Sequence, residues 1–205
     1  MKKKIFVTES IVPELGVYTQ FIEKMFNSHV LTNNGVNCRA LETAIKNFLN
    51  VEFVTACSNG TVGIEIALHA AELAGKKIIT TPFSYVATIS APLWIGCQVL
   101  LADIDEDTLC IDPHKIGELL DADVAGIIPV NVYGHPCNDA AIETLASSCG
   151  RPVKVVYDAA QAFGSSIGGK SLLAFGDFAI CSLHATKVFH SFEGGFVVSH
   201  HKADY

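Results

Sequence analysis

The sequence comprises 205 residues, 50% hydrophobic and 17% charged, enough to bury the core of one ordinary domain and too few for two large ones. Fourteen Lys and Arg against 21 Asp and Glu give a formal charge of -7, which disfavours phosphate-backbone binding and leaves no polybasic patch for a membrane surface. Mean hydropathy is high, +0.37, yet polar residues interrupt each apolar run before it reaches the roughly 18 residues of a membrane-spanning helix, so neither nucleic acid nor a bilayer is an expected partner.

The opening Met1-Lys2-Lys3-Lys4, with Ile5-Phe6-Val7 and Thr8-Glu9-Ser10 behind it, lacks the apolar stretch and small-residue cleavage site of a secretory signal, so the cytoplasm is the expected compartment. Seven cysteines, at 38, 57, 97, 110, 137, 149 and 181, form no CxxC pair and are odd in number. Scattered reduced thiols are expected rather than a disulfide framework.

In chain order, the first helical pattern spans 14–26, where Leu15, Tyr18, Ile22 and Phe26 make an apolar stripe behind Pro13 that requires a partner surface. A second, over 38–49, puts Leu41, Ile45 and Phe48 on one face and leaves Glu42 and Lys46 as an exposed i,i+4 pair. Short apolar runs then alternate with helical stretches: a strand over 53–56, an Ala-rich helix over 62–74 ended by Gly75, a strand over 77–81 broken by Pro82, and a helix over 85–95 capped by Ser84. A strand at 98–101, an acidic turn at 103–107 and a helix from Asp112-Pro113 to 120 come next. Strands over 124–130 and 153–157 flank a helix over 139–149, and two last strands, 178–182 and 195–199, enclose a polar segment holding His184, Lys187, His190 and Glu193. This alternation predicts an α/β fold, a three-layer α/β/α domain with a mostly parallel central sheet and no internal boundary.

Three segments fall just beyond predicted strand ends, where open α/β sheets bind ligands. Cys57-Ser58-Asn59-Gly60-Thr61 joins a strand to a helix, so its amides, the Ser58 and Thr61 hydroxyls and the positive helix end can converge on a phosphate; a capped turn without ligand is the alternative. The segment is neither GxGxxG nor GxxxxGK[ST], which removes the expected motif of a nicotinamide or nucleoside triphosphate site. Asp158 closes a buried strand and precedes Ala159-Ala160-Gln161-Ala162-Phe163-Gly164; such a carboxylate either caps the next helix or pairs with a buried cation. Ser182-Leu183-His184-Ala185-Thr186-Lys187 carries an amine able to condense with an aldehyde, the ordinary surface lysine being the alternative. Tyr85 offers an aromatic face that either covers a planar ring or packs in the core. Asn131, Tyr133 and Gly134 form one more polar strand end, which lines the crevice or only makes its turn. His184 and His190 have no regular element to align them and make a poor zinc pair, so no metal is expected.

Together these segments resemble the DegT/DnrJ/EryC1/StrS sugar aminotransferases, fold-type I enzymes dependent on pyridoxal 5'-phosphate (PLP), from TNNG at 32–35 to EGG at 193–195. The resemblance implies that Ser58, Asn59, Gly60, Thr61 and Ser182 hold the cofactor phosphate and that Tyr85, in TPFSYVAT at 81–88, covers its ring. It implies that Asp158, in DAAQAFG at 158–164, pairs with the pyridine nitrogen while Gln161 lies near the 3'-oxygen, and that Lys187, in SLHATK at 182–187, forms the Schiff base. Asp158 and Lys187 are the implied catalytic residues. The implied reaction moves an amino group from an amino acid, glutamate, to a nucleotide-linked keto sugar. The wording YDAAQAFG and SLHATKVFHSFEGG looks closest to enzymes of dTDP-linked 4-keto-6-deoxyhexoses. A dehydratase branch has histidine where this chain has Lys187, and many relatives have histidine where it has Asn131.

Relatives run to nearly twice this length and form homodimers with pockets at the interface. Residues 1–205 are therefore expected to be the PLP-binding large domain, without its last part and the carboxy-terminal small domain. The competing readings are an amino-acid lyase or transaminase using the same cofactor, and a truncated, catalytically incompetent cofactor-binding or assembly module.

Overall fold

The alternating runs resolve into a seven-stranded sheet with helices on both faces. The computed structural model describes residue 5 and residues 8–202; most of the amino-terminal stretch considered as a secretory signal lies outside them. The strands are β1 (Phe53–Cys57), β2 (Lys77–Thr80), β3 (Gln98–Leu101), β4 (Val124–Ile127), β5 (Lys154–Asp158), the small hairpin β6 (Ser166–Ile167) and β7 (Lys170–Ser171), β8 (Phe178–Ser182) and β9 (Gly195–Ser199). The helices are α1 (Leu15–Ser28), α2 (Val36–Leu49), α3 (Gly60–Ala70), α4 (Ala87–Trp94), α5 (Pro113–Leu119) and α6 (Asp139–Ser148). The main sheet has the order β1-β9-β8-β5-β4-β2-β3. Within it β9 runs antiparallel to both β1 and β8, and the remaining pairs are parallel.

Period-two alternation in the strands feeds two cores. On one face Ile79, Ile127, Val155, Tyr157, Ala179 and Val198 pack against Ile45 and Leu49 of α2, Ile116 of α5 and Ile142 of α6. On the other, Ile78, Ile128, Val156, Phe178, Ile180 and Val197 pack against Ile64, Ala67 and Leu68 of α3 and Ala87 and Ala91 of α4. A strand covered on both faces needs apolar residues at successive positions, which is why 178–181 and 155–157 read as continuous runs. The three-layer α/β/α expectation therefore holds. No helix among the described residues is long and apolar enough to cross a membrane, and all seven cysteines are free thiols.

Some expectations needed correction. Ser84 does not cap α4: the helix starts at Ala87 without a side-chain cap, and the Ser84 hydroxyl meets Thr88 Oγ1 at 2.6 Å. α3 begins at Gly60 rather than at 62, because Asn59 caps it by accepting the Val62 N–H at 2.9 Å. The strand expected over 124–130 ends at Ile127; Pro129 has no N–H for a ladder, and contact with β5 resumes only as a bridge between Val130 and Asp158. The stripe on α1 has found little cover, since none of its residues is buried. It meets α2 through Asn37 Nδ2, which donates to the Phe21 carbonyl at 2.9 Å, and its Tyr18 ring stands edge-on to Phe192.

Candidate functional site

Strands β1, β5 and β8 all deliver their following segments to the carboxyl end of the sheet, as the doubly wound rule requires. There a crevice of about 720 Å³ is lined by Asn59, Gly60, Thr61, Tyr85, Asp158, Gln161, Ser182 and Lys187, among others. Eight of the nine residues singled out from sequence thus share one cavity. Ser58 is the exception: it is exposed and outside the lining.

At one end of the crevice α3 points its first turn inward. Asn59 Oδ1 satisfies Val62 and its carbonyl accepts from Gly63 at 3.0 Å, which leaves the Gly60 and Thr61 amides without an intrahelical acceptor. Asn59 therefore serves this end by capping rather than by presenting its side chain. Ser182 completes it: a Cβ added at Gly60 would lie 3.1 Å from the Ser182 Cβ, so the hydroxyl stands beside the helix terminus. The Ser182 oxygen accepts the His184 N–H at 3.3 Å, leaving its own proton free to donate. Close approach here also depends on Gly195, where a Cβ would fall 2.6 Å from the Asn59 carbonyl carbon. β9 can cross the turn only as glycine.

Asp158 sits at the crevice floor, only 5% exposed. Its Oδ2 accepts a hydrogen bond from Thr88 Oγ1 at 2.6 Å and its Oδ1 accepts the Ala160 N–H at 3.1 Å. Ser84 in turn meets Thr88, so a hydroxyl relay supports the acid. Burial raises the Asp158 pKa above the ordinary aspartate value, opposed by the Thr88 and Ala160 hydrogen bonds and by the charge of Lys187. Of the two roles open to it from sequence, Asp158 does cap the turn at Ala160, yet its burial still leaves a costly charge. A cation brought into the crevice would relieve that cost. The neighbouring thiols are not candidates for chemistry, since burial pushes Cys181 up to about 12 and Cys57 up to about 11.

Lys187 closes a turn in which its N–H donates to the His184 carbonyl at 2.9 Å, and the loop is zipped to its return segment by Ala185 N–H to the Phe192 carbonyl and Leu183 N–H to the Gly194 carbonyl. His184 Nδ1 bonds Thr186 Oγ1 at 2.8 Å and His190 Nε2 lies 2.7 Å from the Ile11 carbonyl, so both imidazoles are spent on loop structure. Phe189 stacks on Phe163 at 4.3 Å between centroids, and Phe163 stacks on Phe48 at 5.1 Å. This aromatic column fastens the lysine loop to the segment after Asp158 and to α2. Tyr85 is 73% exposed at the crevice wall, which rules out core packing.

The donor set fits a planar aromatic cation carrying a phosphate. Helix amides and the Ser182 hydroxyl are free to receive an anion, a buried carboxylate lacks a cation partner among the described hydrogen bonds, an aromatic face lies open, and a primary amine shares the cavity. Three features went unread in the sequence. Thr88 lies 70 residues from Asp158. Gln161 turns its Oε1 to the Tyr133 N–H at 2.8 Å, 28 residues away. The segment around Ser10 and Ile11 crosses the lysine loop, Ser10 Oγ donating to the Ala185 carbonyl at 2.6 Å. Only the TPFSYVAT resemblance hinted at the first.

The profile of the DegT/DnrJ/EryC1/StrS aminotransferase family matches residues 17–204. A Shigella dysenteriae protein described as dTDP-4-amino-4,6-dideoxy-D-glucose transaminase is 40% identical over 202 residues, 98% of this chain and 54% of that protein. GDP-perosamine synthase of Escherichia coli O157:H7 is 30% identical over 191 residues, 93% of this chain and 52% of its own. Among solved structures, DesI in the presence of its TDP-sugar product superposes with a TM-score of 0.89 at 28% identity, over 96% of this chain and 49% of DesI. The chain spans about half the length of these relatives. With the family profile over nearly its whole length and 40% identity to the Shigella dysenteriae protein, the chain belongs to the DegT/DnrJ/EryC1/StrS aminotransferase family.

Proposed function

We propose that this chain is the PLP-binding large-domain portion of an aminotransferase that moves an amino group from glutamate to a dTDP-linked 4-keto-6-deoxyhexose. The single observation that carries the chemistry is the shared crevice of Asp158, Lys187 and the α3 terminus. The nucleotide and sugar class rests on the 40% identity to the Shigella dysenteriae transaminase, whose name specifies a dTDP-4-amino-4,6-dideoxy sugar. When bound, PLP supplies an electron sink for the carbanion left at the donor Cα and carries the amino group between substrates.

The protein's own residues divide the work. The Gly60 and Thr61 amides and the Ser182 hydroxyl would hold the phosphate, and Tyr85 would cover the ring. Asp158 would pair with the ring nitrogen and, as a carboxylate, would keep that nitrogen protonated. Thr88 and Ala160 N–H orient the carboxylate. Lys187 Nζ would anchor the cofactor and, as a free amine, would serve as the base that takes the proton from the donor Cα and as the acid that gives it back. Exposed apolar residues such as Leu15, Phe26 and Trp94 support a homodimer, in which a second copy would cover them. The free thiols support a reducing, cytoplasmic setting.

Incubating the protein with PLP, glutamate and a panel of nucleotide-linked keto sugars, with mass detection of both products, tests the reading. Equal amounts of 2-oxoglutarate and amino sugar are expected from the dTDP-linked 4-keto-6-deoxyhexose. Turnover of glutamate with no amino sugar from any acceptor contradicts the assignment.

A further inference from the structure

Beside the crevice lies a second cavity of about 290 Å³, and Tyr133, Gln161 and Lys187 line both. Tyr133 has a left-handed backbone, φ 51° and ψ 21°, a conformation that a bulky side chain adopts only when its surroundings over-determine it. Here they do. The Tyr133 N–H donates to Gln161 Oε1 at 2.8 Å, the Gly134 N–H to the Asn131 carbonyl at 3.0 Å and the His135 N–H to the Val132 carbonyl at 2.9 Å. This backbone turns the Tyr133 ring outward, 68% exposed, while the adjacent Val132 is buried.

The second cavity continues past Tyr133 along Thr8, Phe163 and Val188. Lys187 is the one cation among the described residues lining it. The outer carboxylate of a dicarboxylic amino acid would find no partner of its own there. Aromatic and aliphatic walls with a few hydroxyls instead suit a pyranose, whose ring carries C–H faces and hydroxyl edges.

We propose that Tyr133 is a specificity-determining residue, its ring being the platform on which the sugar of the nucleotide-linked acceptor rests while its keto carbon faces Lys187. This rests on the sugar aminotransferase reading of the crevice. The strained backbone aims the ring, and Gln161 clamps that backbone. Gln161 thereby has two assignments, serving the acceptor side through Tyr133 as well as lining the cofactor crevice.

The test compares Tyr133→Gly, which accepts the left-handed backbone and removes the ring, with Tyr133→Phe, which keeps the ring. Calorimetric binding uses a dTDP-linked 4-keto-6-deoxyhexose and dTDP alone as probes, and steady-state assays give KM for sugar and for glutamate. Tyr133→Gly is expected to weaken sugar-nucleotide binding and raise its KM about tenfold, with dTDP binding and the glutamate KM within about twofold of the parent, and Tyr133→Phe is expected to restore both. Unchanged sugar-nucleotide binding in Tyr133→Gly, or equal loss of dTDP binding, overturns the assignment. Reductive trapping of PLP on the parent separates the two levels. A Lys187 adduct with unchanged sugar binding sinks only the role of Tyr133, whereas no Lys187 adduct sinks the reading beneath it as well.

Discussion

Asp158 and helix α1 are opposite misfits. The first is a carboxylate where the protein is dry, and the second is an apolar stripe where it is wet: Asp158 is buried under two hydrogen bonds, whereas Leu15 and Phe26 are 72% and 61% exposed. Each is costly alone. On the proposed function the difference lies in what would complete them, a cation for the acid and a covering protein surface for the helix. Changes at the first should move chemistry and pH dependence, and changes at the second should move association.

The largest effect is expected from Lys187→Ala, which removes the amine while leaving the anion end intact. Turnover should fall by more than about a thousandfold, with the visible absorption of bound PLP lost and part of its affinity kept, as an absorbance titration would show.

Asp158→Asn should lower turnover by about a hundredfold and yet stabilise the cofactor-free protein at neutral pH by about 1–2 kcal/mol, read by denaturant melts with and without PLP. Linkage fixes the sign. The folded-state pKa of Asp158 is raised by burial, so its favourable contribution is full below the ordinary aspartate pKa of about 3.9 and is lost as pH rises through the folded value. The cofactor-free parent should therefore lose stability relative to Asp158→Asn as pH rises above about 4. Parallel pH profiles would contradict the account of a strained acid.

Thr88→Val deletes the bond to Asp158 Oδ2 in nearly the same volume. It should weaken PLP binding about fivefold to tenfold by raising the acid's pKa further, and an unchanged binding isotherm would remove Thr88 from the site.

The smallest effect on the fold belongs to α1. Leu15→Glu with Phe26→Lys should alter stability by less than about 0.5 kcal/mol, because both side chains are already exposed. Sedimentation should nevertheless show weaker dimerisation. A dimer of undiminished affinity would mean that another surface makes the contact.

The same contrast explains how much was legible in the sequence. Strands buried on both faces announce themselves, and β8 and β9 fall at the positions expected from apolar runs alone, as does the less buried edge strand β3. Helix starts were less legible, because Asn59 caps α3 at Gly60, two residues ahead of the apolar run from Val62, and Ser84 spends its hydroxyl on Thr88. The hairpin of β6 and β7 went unread although Gly168-Gly169 marks its turn, since two-residue strands carry no periodicity. In the crevice, residues announced by a strand end came out together, whereas those set by distant contacts did not. Nothing near Tyr133 signals that Gln161 will hold it left-handed. That information lies in the tertiary fold.

The most direct measurement of the central claim is borohydride reduction of the protein with PLP, with peptide mass mapping of the product. A pyridoxyl adduct on Lys187, lost in Lys187→Ala and retained in Asp158→Asn, is the expected result. An adduct on another lysine, with Lys187 unmodified, would contradict the assignment of the crevice formed by Asp158, Ser182 and the α3 terminus as the reaction centre.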